Sequence, residues 1–270
     1  MAVAGRVRTS SWRFPGRRVR LALLAGVVSW APAVDAHDFF LLPGSFVTTG
    51  TRVPTIQATV GSSFPAGETA LTVDRIERLY ARGPGAPRLQ AGAVGANALN
   101  LTLTGARPGT VVAAVKVRDR EVEYGEDRIP LILEEYRVSR DAQAAVEALS
   151  RPRTLRVLSR RFAKTIMCVR TCKRSSEAAQ PVGVALEFVA TGSGPDRYRL
   201  LGMGRPLPDY PVDVVTSDGQ RRHMATDRAG VVHVPADARG PTMLFAAVMT
   251  PPADGGRFTL DLTTLTLARQ

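Results

Sequence analysis

The chain contains few of the residues from which catalytic and metal-binding sites are usually built. Its 270 residues include two cysteines, three histidines and two tryptophans. Three histidines offer little material for a catalytic triad, and the sequence has no nucleophile elbow, no phosphate-binding loop and no zinc-protease motif. A hydrolase is therefore disfavoured, and we expect the protein not to be an enzyme.

The chain also lacks an apolar run long enough to cross a membrane as a helix, which takes about 20 residues. Residues 21–28 are apolar, but this run is short and follows six arginines, at positions 6, 8, 13, 17, 18 and 20. A segment ending in Ala-Val-Asp-Ala comes next, and this order is typical of a secretory signal peptide. We expect residues 1–36 to be removed on export to the periplasm, leaving no stable membrane span. A disordered basic tail or a membrane anchor is the alternative.

Positive charge is in excess, since 36 basic and 24 acidic residues give a net charge of +12. Residues 1–36 hold six of the basic residues and one of the acidic ones. The rest of the chain therefore has 30 basic and 23 acidic residues, a net charge of +7. Its arginines are scattered over alternating segments and form no basic stripe with stacking aromatics, the pattern that nucleic-acid binding requires. We expect a solvated surface and no nucleic-acid partner.

Alternating apolar residues predict β-strands along most of the chain after residue 36. Turn sequences rich in Gly, Pro and Asp separate the alternating segments, which include residues 99–104, 111–117, 182–188, 212–214, 244–248 and 258–262. The alternation slips by one residue before Leu265 and Leu267, which indicates a bulge or a strand buried on both faces. The predicted fold class is therefore mainly β.

A cluster of Gly, Ser and Pro at residues 191–195 predicts a domain boundary. We expect two β-sandwich-like domains, a β-rich N-terminal one at residues 37–194 and a small sandwich at residues 195–270.

A short helical insertion is predicted in the first domain, near residues 130–162. Asp141 is a candidate N-cap for a helix that runs to Leu149. After Pro152, helical spacing continues through Leu155, Leu158 and Phe162. We expect these helices to cover an edge or an end of the sheet.

His37 is a candidate metal ligand because of where the signal peptide is expected to end. Val34 and Ala36 suit cleavage after Ala36, which would make His37 the first residue. Its α-amine, with an ordinary pKa of about 8, and its imidazole Nδ1, with an ordinary pKa of about 6.5, would then close a six-membered chelate ring on one ion. Nitrogen ligands favour copper, nickel, cobalt and zinc. Cleavage after Ala33 is the alternative, and it would abolish the chelate.

The two other histidines, His223 and His233, are candidates for a third metal ligand. Both lie in alternating segments that the turn at residues 227–230 joins, so we expect them on neighbouring strands. A histidine on such a strand can equally be a surface residue without a ligand role.

The cysteines, Cys168 and Cys172, are separated by three residues. In an oxidising compartment such a pair is expected to form a disulfide, which closes a tight loop. The alternative is a thiolate site for copper that also uses Met167.

Three stretches resemble a bacterial periplasmic family of unknown function that is often described as a NikM-like component of cobalt or nickel transport. They are residues 36–43 (AHDFFLLP) with 60–64 (VGSSF), residues 159–164 (SRRFAK), and residues 204–230 with 262–267. The last stretch is also similar to transthyretin-like and carboxypeptidase-regulatory-like β-sandwich modules. The resemblance implies an Ig- or transthyretin-like sandwich at residues 195–270 and a metal-ligand role for His37.

Two functions are therefore expected from the sequence. The first is a periplasmic accessory protein that binds nickel, cobalt or copper through His37, with His223 or His233, and serves a membrane metal transporter. The second is a non-catalytic β-sandwich adaptor that binds a membrane transporter or receptor through a sheet edge.

Overall fold

The computed structural model describes residues 37–50, 52–172, 176–192, 196–253 and 256–269. The expected signal peptide, residues 1–36, lies outside these described residues. Most of the described chain is β-strand, so the fold is mainly β, as the alternating pattern predicted. No described helix is long and apolar enough to cross a membrane.

Two short helices interrupt a long succession of strands in the described residues. The N-terminal elements are β1 Asp38–Pro43, β2 Val47–Thr48, β3 Thr55–Gly61, β4 Thr69–Ala70, β5 Ile76–Arg82, β6 Arg88–Val94, β7 Leu99–Thr104, β8 Gly109–Val117, β9 Arg120–Gly125, α1 Ile129–Glu135, α2 Arg140–Glu147 and β10 Thr154–Val169. They are followed by β11 Leu186–Ala190, β12 Arg197–Gly202, β13 Arg205–Pro206, β14 Pro211–Thr216, β15 Arg221–Ala225, β16 Val231–His233, β17 Gly240–Thr250 and β18 Phe258–Arg269.

In the described chain these strands form three sheets. A five-stranded sheet has the order β1-β3-β7-β6, with β4 on β3. A nine-stranded sheet has the order β15-β14-β17-β18-β10-β8-β5, with β2 and β9 also paired to β10. A four-stranded sheet has the order β11-β12-β13, with β16 on β12. Within the nine-stranded sheet β10 and β18 are parallel, from Val157↔Phe258 to Thr165↔Thr266.

Strands from both sides of the expected boundary at residue 194 lie in common sheets. The nine-stranded sheet takes β5, β8 and β10 from before the boundary and β14, β15, β17 and β18 from after it. The four-stranded sheet takes β11 from before it and β12 from after it. Asp35–Gln270 forms one compact unit. The predicted boundary is therefore not a division between sheets.

The nine-stranded sheet is buried on both faces. On one face, Ala163 and Met167 of β10 pack with residues of the five-stranded sheet, such as Leu99 and Leu101. On the other face, Phe162 of β10 packs with residues of the four-stranded sheet, among them Phe188, Leu200 and Val232. Successive side chains of a strand point to opposite faces, so β10 contributes to two cores at once.

The slip in the alternation of β18 follows from this two-sided burial. Phe258, Leu260 and Leu262 pack against the helices, whereas Leu265 and Leu267 pack into the core under the four-stranded sheet. Pairing with β17 continues without a register shift from Gly240↔Arg269 to Thr250↔Thr259. The strand is therefore buried on both faces and has no bulge against β17, the second of the two alternatives that the sequence left open.

The helical insertion is shorter than the sequence predicted. Two helices form, and the side chain of Ser139, not Asp141, caps the second by accepting a hydrogen bond from the amide of Ala142 at 3.4 Å. Ile129, Ile132 and Val146 are buried against β10, β17 and β18, so the helices cover a face of the sheet and not its edge.

The helical prediction after Pro152 is wrong, because Leu155, Leu158 and Phe162 lie in β10. In this strand Leu155 and Val157 are buried on the helix-covered face, while β9 and then β8 pair along one edge and β18 along the other. The apolar spacing of three and four residues also fits a helix, but hydrogen bonding to strands on both edges makes this segment a strand.

A buried ion pair joins the nine-stranded sheet to the four-stranded one. Lys164 of β10 bonds to the carboxylate of Glu187 on β11, and both side chains are 5% exposed or less. The Lys164 ammonium also donates to the carbonyl of Phe188 at 2.8 Å, and Glu187 accepts the amides of Val182 and Gly183 at 2.9 Å each. Every charge of the pair is thus hydrogen-bonded, which compensates for its removal from water.

Replacing Lys164 by methionine should lower the free energy of unfolding by about 3–5 kcal/mol, because it leaves the Glu187 carboxylate buried without its partner. Urea unfolding monitored by circular dichroism measures this loss. The control is Lys116→Met, which removes a partly exposed pair with Glu77 and should cost less than about 1 kcal/mol. Equal losses in the two variants would contradict the assigned role of Lys164.

Candidate functional site

His37 directly precedes a strand that is held on both edges. On one edge β1 pairs with β3, from Asp38↔Gly61 to Pro43↔Ile56. On the other, the hydroxyls of Thr264 and Thr266 in β18 donate to the carbonyls of Phe39, at 2.7 Å, and Leu41. All but one residue of β1 is buried, so the backbone that follows His37 is fixed in position.

The imidazole of His37 is half exposed and faces a carboxylate. Its Nε2 lies 3.6 Å from Oε2 of Glu68, and the side chain of His37 is 54% exposed. The other carboxylate oxygen of Glu68 accepts the hydroxyl of Ser62 at 2.6 Å and the amide of Ser62 at 3.0 Å. These hydrogen bonds hold the pKa of Glu68 below its usual range, and the charge of His37 adds a smaller effect in the same direction. Glu68 is therefore an ionised and oriented neighbour of the ring.

A shallow cleft opens beside His37, with Glu135, Tyr136, Arg161 and Phe245 among its lining residues. Arg161 belongs to the segment SRRFAK, and its Nη1 donates to the backbone carbonyl of His37 at 3.2 Å. Burial raises the pKa of the Glu135 carboxyl. The cleft thus combines a guanidinium, a carboxyl group and a tyrosine next to the candidate ligand.

An ionic chain leads away from this cleft beneath the surface. Asp38 bonds to the guanidinium of Arg221, whose Nη1 donates to Oδ2 of Asp213 at 2.9 Å. The other oxygen of Asp213 bonds to Arg137 and lies 2.8 Å from Nδ1 of His223. Because Asp38 and Asp213 are each 4% exposed or less, the chain ties β1 to β14, β15 and the connection between the helices.

The three histidines do not converge. His37 precedes β1 of the five-stranded sheet, His223 lies in β15 of the nine-stranded sheet and His233 in β16 of the four-stranded sheet. The prediction that His223 and His233 lie on neighbouring strands is wrong. The turn between them, in which Asp227 accepts the amides of Ala229 and Val231, carries the chain from one sheet to another and does not close a hairpin.

The described residues contain no group of three His, Cys, Asp or Glu side chains that could hold a metal ion. A metal at His37 would therefore depend on the α-amine and the ring Nδ1, the two nitrogens that the sequence indicated, without a third ligand from His223 or His233. The ring nitrogen Nδ1 of His223 already lies within hydrogen-bond distance of the Asp213 carboxylate.

A disulfide joins Cys168 and Cys172, with their Cα atoms 5.0 Å apart. Cys168 ends the stretch of β10 that pairs with β8, and its amide donates to the carbonyl of Phe46 at 2.8 Å. The bridge closes the turn in which Arg170 adopts a left-handed conformation, with φ of 61°. In this state neither sulfur is a thiolate available to copper.

Sequence reasoning missed Glu68, Arg161 and Asp213 as neighbours of the histidines. Glu68 and Arg161 fall in or near segments quoted for the resemblance, but nothing in their spacing shows that they meet His37. Asp213 lies in β14 between buried valines. A single acidic residue in an apolar strand was the sequence signal that could have indicated a buried ion pair.

A family model described as "Domain of unknown function (DUF4198)" matches residues 34–250. No curated protein matches the chain. Among solved structures, the D0-D1 domain of Intimin is similar at 14% sequence identity, covering 87% of this chain and all of that one, with a TM-score of 0.22. A TM-score this low establishes neither a shared fold nor a shared function.

Replacing Asp213 by asparagine should lower the free energy of unfolding by about 2 kcal/mol or more, because it removes the charge that Arg137 and Arg221 share. Thermal and urea unfolding measure the change. Asp237→Asn is the matched control, since its bond to Arg222 is exposed and should contribute little to stability. A variant of Asp213 as stable as the control variant would show that the ionic chain does not hold β14 and β15.

Proposed function

This chain belongs to the DUF4198 family, a domain of unknown function, and we propose that it captures a transition-metal ion at His37. The cargo is nickel, cobalt or copper, and the compartment is the periplasm, reached by removal of residues 1–36. The protein performs no reaction on the ion. It serves as an accessory component of metal uptake, in line with the NikM-like resemblance of its N-terminal segment.

The observation that carries this proposal is the contact between His37 and Glu68. Histidines that bind metals usually direct their second ring nitrogen at a carboxylate, which fixes the tautomer and makes the ligating nitrogen more basic. Here the carboxylate faces Nε2, at 3.6 Å. Nδ1, the nitrogen that can form a chelate ring with the α-amine of the same residue, is therefore the one left for the ion.

Two protein nitrogens are few for a transition metal, and this suits a carrier. Structural zinc sites, by comparison, use four protein ligands. Because the described residues offer no third protein ligand near His37, the remaining positions on the ion would be filled by water or by ligands of a receiving protein. An open site of this kind allows the ion to pass to a membrane transporter by ligand exchange.

The position of the N-terminus provides the first test. Protein exported with its own signal should have the intact mass of a chain that begins at His37, and calorimetry should show one nickel or copper ion bound per chain. Adding a single alanine before His37 converts the α-amine into an amide and should abolish stoichiometric binding at micromolar metal. A chain that begins at His37 and binds no ion would contradict the proposal and favour the adaptor function.

The role of Glu68 provides the second test. Glu68→Gln in the chain that begins at His37 should weaken metal binding by about 10- to 100-fold, the usual effect of removing a carboxylate partner from a ligating histidine. Glu77→Gln is the control, because Glu77 has a nearly equal exposure, 37% against 38%, and pairs with Lys116 instead. If both variants bind the metal like the parent protein, Glu68 does not support the ligand.

A further inference from the structure

We propose that the outer face of the four-stranded sheet binds an oxyanion, a phosphate or carboxylate group, between Arg197, Arg199 and His233. These three residues lie apart from His37, on β12 and β16. The proposed site neither requires a metal nor shares a residue with the metal-capture site.

The register of the sheet brings the side chains of two arginines and one histidine to one face. Arg197 lies directly opposite His233, and Arg199 lies opposite Val231. Directly paired residues have Cβ atoms about 5 Å apart, and residues i and i+2 of a strand lie about 7 Å apart on the same face. The intervening Tyr198 is buried in the core on the other face. The three side chains therefore form a compact group on the outer face.

Each of the two arginines has one N–H donor without an acceptor. The Nε atoms of Arg197 and Arg199 are buried from solvent, and neither has a hydrogen-bond partner among the described residues. No ion pair of either arginine occurs within the described chain. A charged donor that has lost its water and gained no acceptor is costly, and a bound ion or water would satisfy it.

One acidic residue, Asp227, lies close enough to interact with the charges of His233 and Arg197. Asp227 accepts the amides of Ala229 and Val231, at 2.8 and 2.9 Å. The amide of Val231 is the largest cause of the lowered pKa of Asp227, and the charges of His233 and Arg197 contribute less. Asp227 is held in its turn by these amides, and it accepts no hydrogen bond from the Nε of either arginine.

The two guanidinium groups beside His233 determine the class of ligand. An oxyanion would be attracted by both, and the planar guanidinium presents paired donors that match the oxygens of a phosphate or carboxylate. The chemical class follows from these donors, and the two geometries, tetrahedral and planar, can be separated by experiment.

The test is calorimetric titration of the metal-free chain that begins at His37 with inorganic phosphate and, separately, with acetate, at an ionic strength held constant with sodium chloride. We expect one anion to bind per chain. Tighter binding of phosphate would indicate a site for a tetrahedral ion, and tighter binding of acetate a site for a planar carboxylate. Arg199→Gln should weaken binding at least about tenfold, since it removes a charged donor. His233→Gln changes an exposed side chain that the core does not need, and it should weaken binding in the same direction.

Arg88→Gln is the matched control, because Arg88 is an exposed arginine on β6 of a different sheet. It should leave anion binding unchanged. Absence of binding of both anions to the parent protein, or equal weakening by Arg88→Gln and Arg199→Gln, would overturn the proposal, the latter by showing a general charge effect. Metal binding at His37 is measured separately, so failure of either proposal leaves the other standing.

Discussion

The parallel pairing of β10 with β18, buried on both faces, is the constraint on which the rest of the structure depends. Parallel strands cannot be joined by a tight turn, so the chain between them must leave the sheet and return. In this protein that connection builds the four-stranded sheet and then adds β14, β15 and β17 to the nine-stranded sheet. Both faces of the pair then need a cover, because strands in a parallel arrangement are usually apolar on both sides. The helices, the five-stranded sheet and the four-stranded sheet provide it.

The position of His37 is a consequence of that same pair. Where β18 passes under β1, its face carries Thr264 and Thr266 in place of leucines, and their hydroxyls bind carbonyls of β1. A buried carbonyl that lacked such a donor would cost free energy, so these threonines allow an edge of β1 to lie against a sheet face. The strand is fixed from Asp38 onward, and the imidazole just before it meets Glu68 at the surface. His37 and β1 therefore have a defined position without a helix or a long loop to hold them.

Period-two alternation predicted the fold class because it reports directly which faces of a strand are buried. The slip before Leu265 was informative for the same reason. In a strand that is covered on both sides, threonines can replace leucines on one face where their hydroxyls have acceptors, and the leucines then continue on the other face. The same reasoning failed at β10, where Leu155 and Phe162 belong to two different cores and their spacing with Leu158 imitates a helix. It also failed at the turn after Asp227, because a local turn sequence does not tell whether the next strand joins the same sheet or another one. Contacts such as His37 with Glu68 depend on register between distant strands, which no local pattern encodes.

The three histidines, of which the sequence made His37 the first candidate ligand and the other two candidates for a third ligand, have different surroundings in the structure. His37 faces a carboxylate that is itself held by Ser62, and it has no second acidic or basic side chain bonded to its ring in the described chain. His223 shares Asp213 with Arg137 and Arg221, so its ring belongs to a structural ionic chain. His233 lies opposite an arginine. A carboxylate beside the ring favours a histidine as a metal ligand, so the proposed metal site rests on His37 and its neighbour Glu68, whereas His233, opposite Arg197, belongs to the proposed anion site.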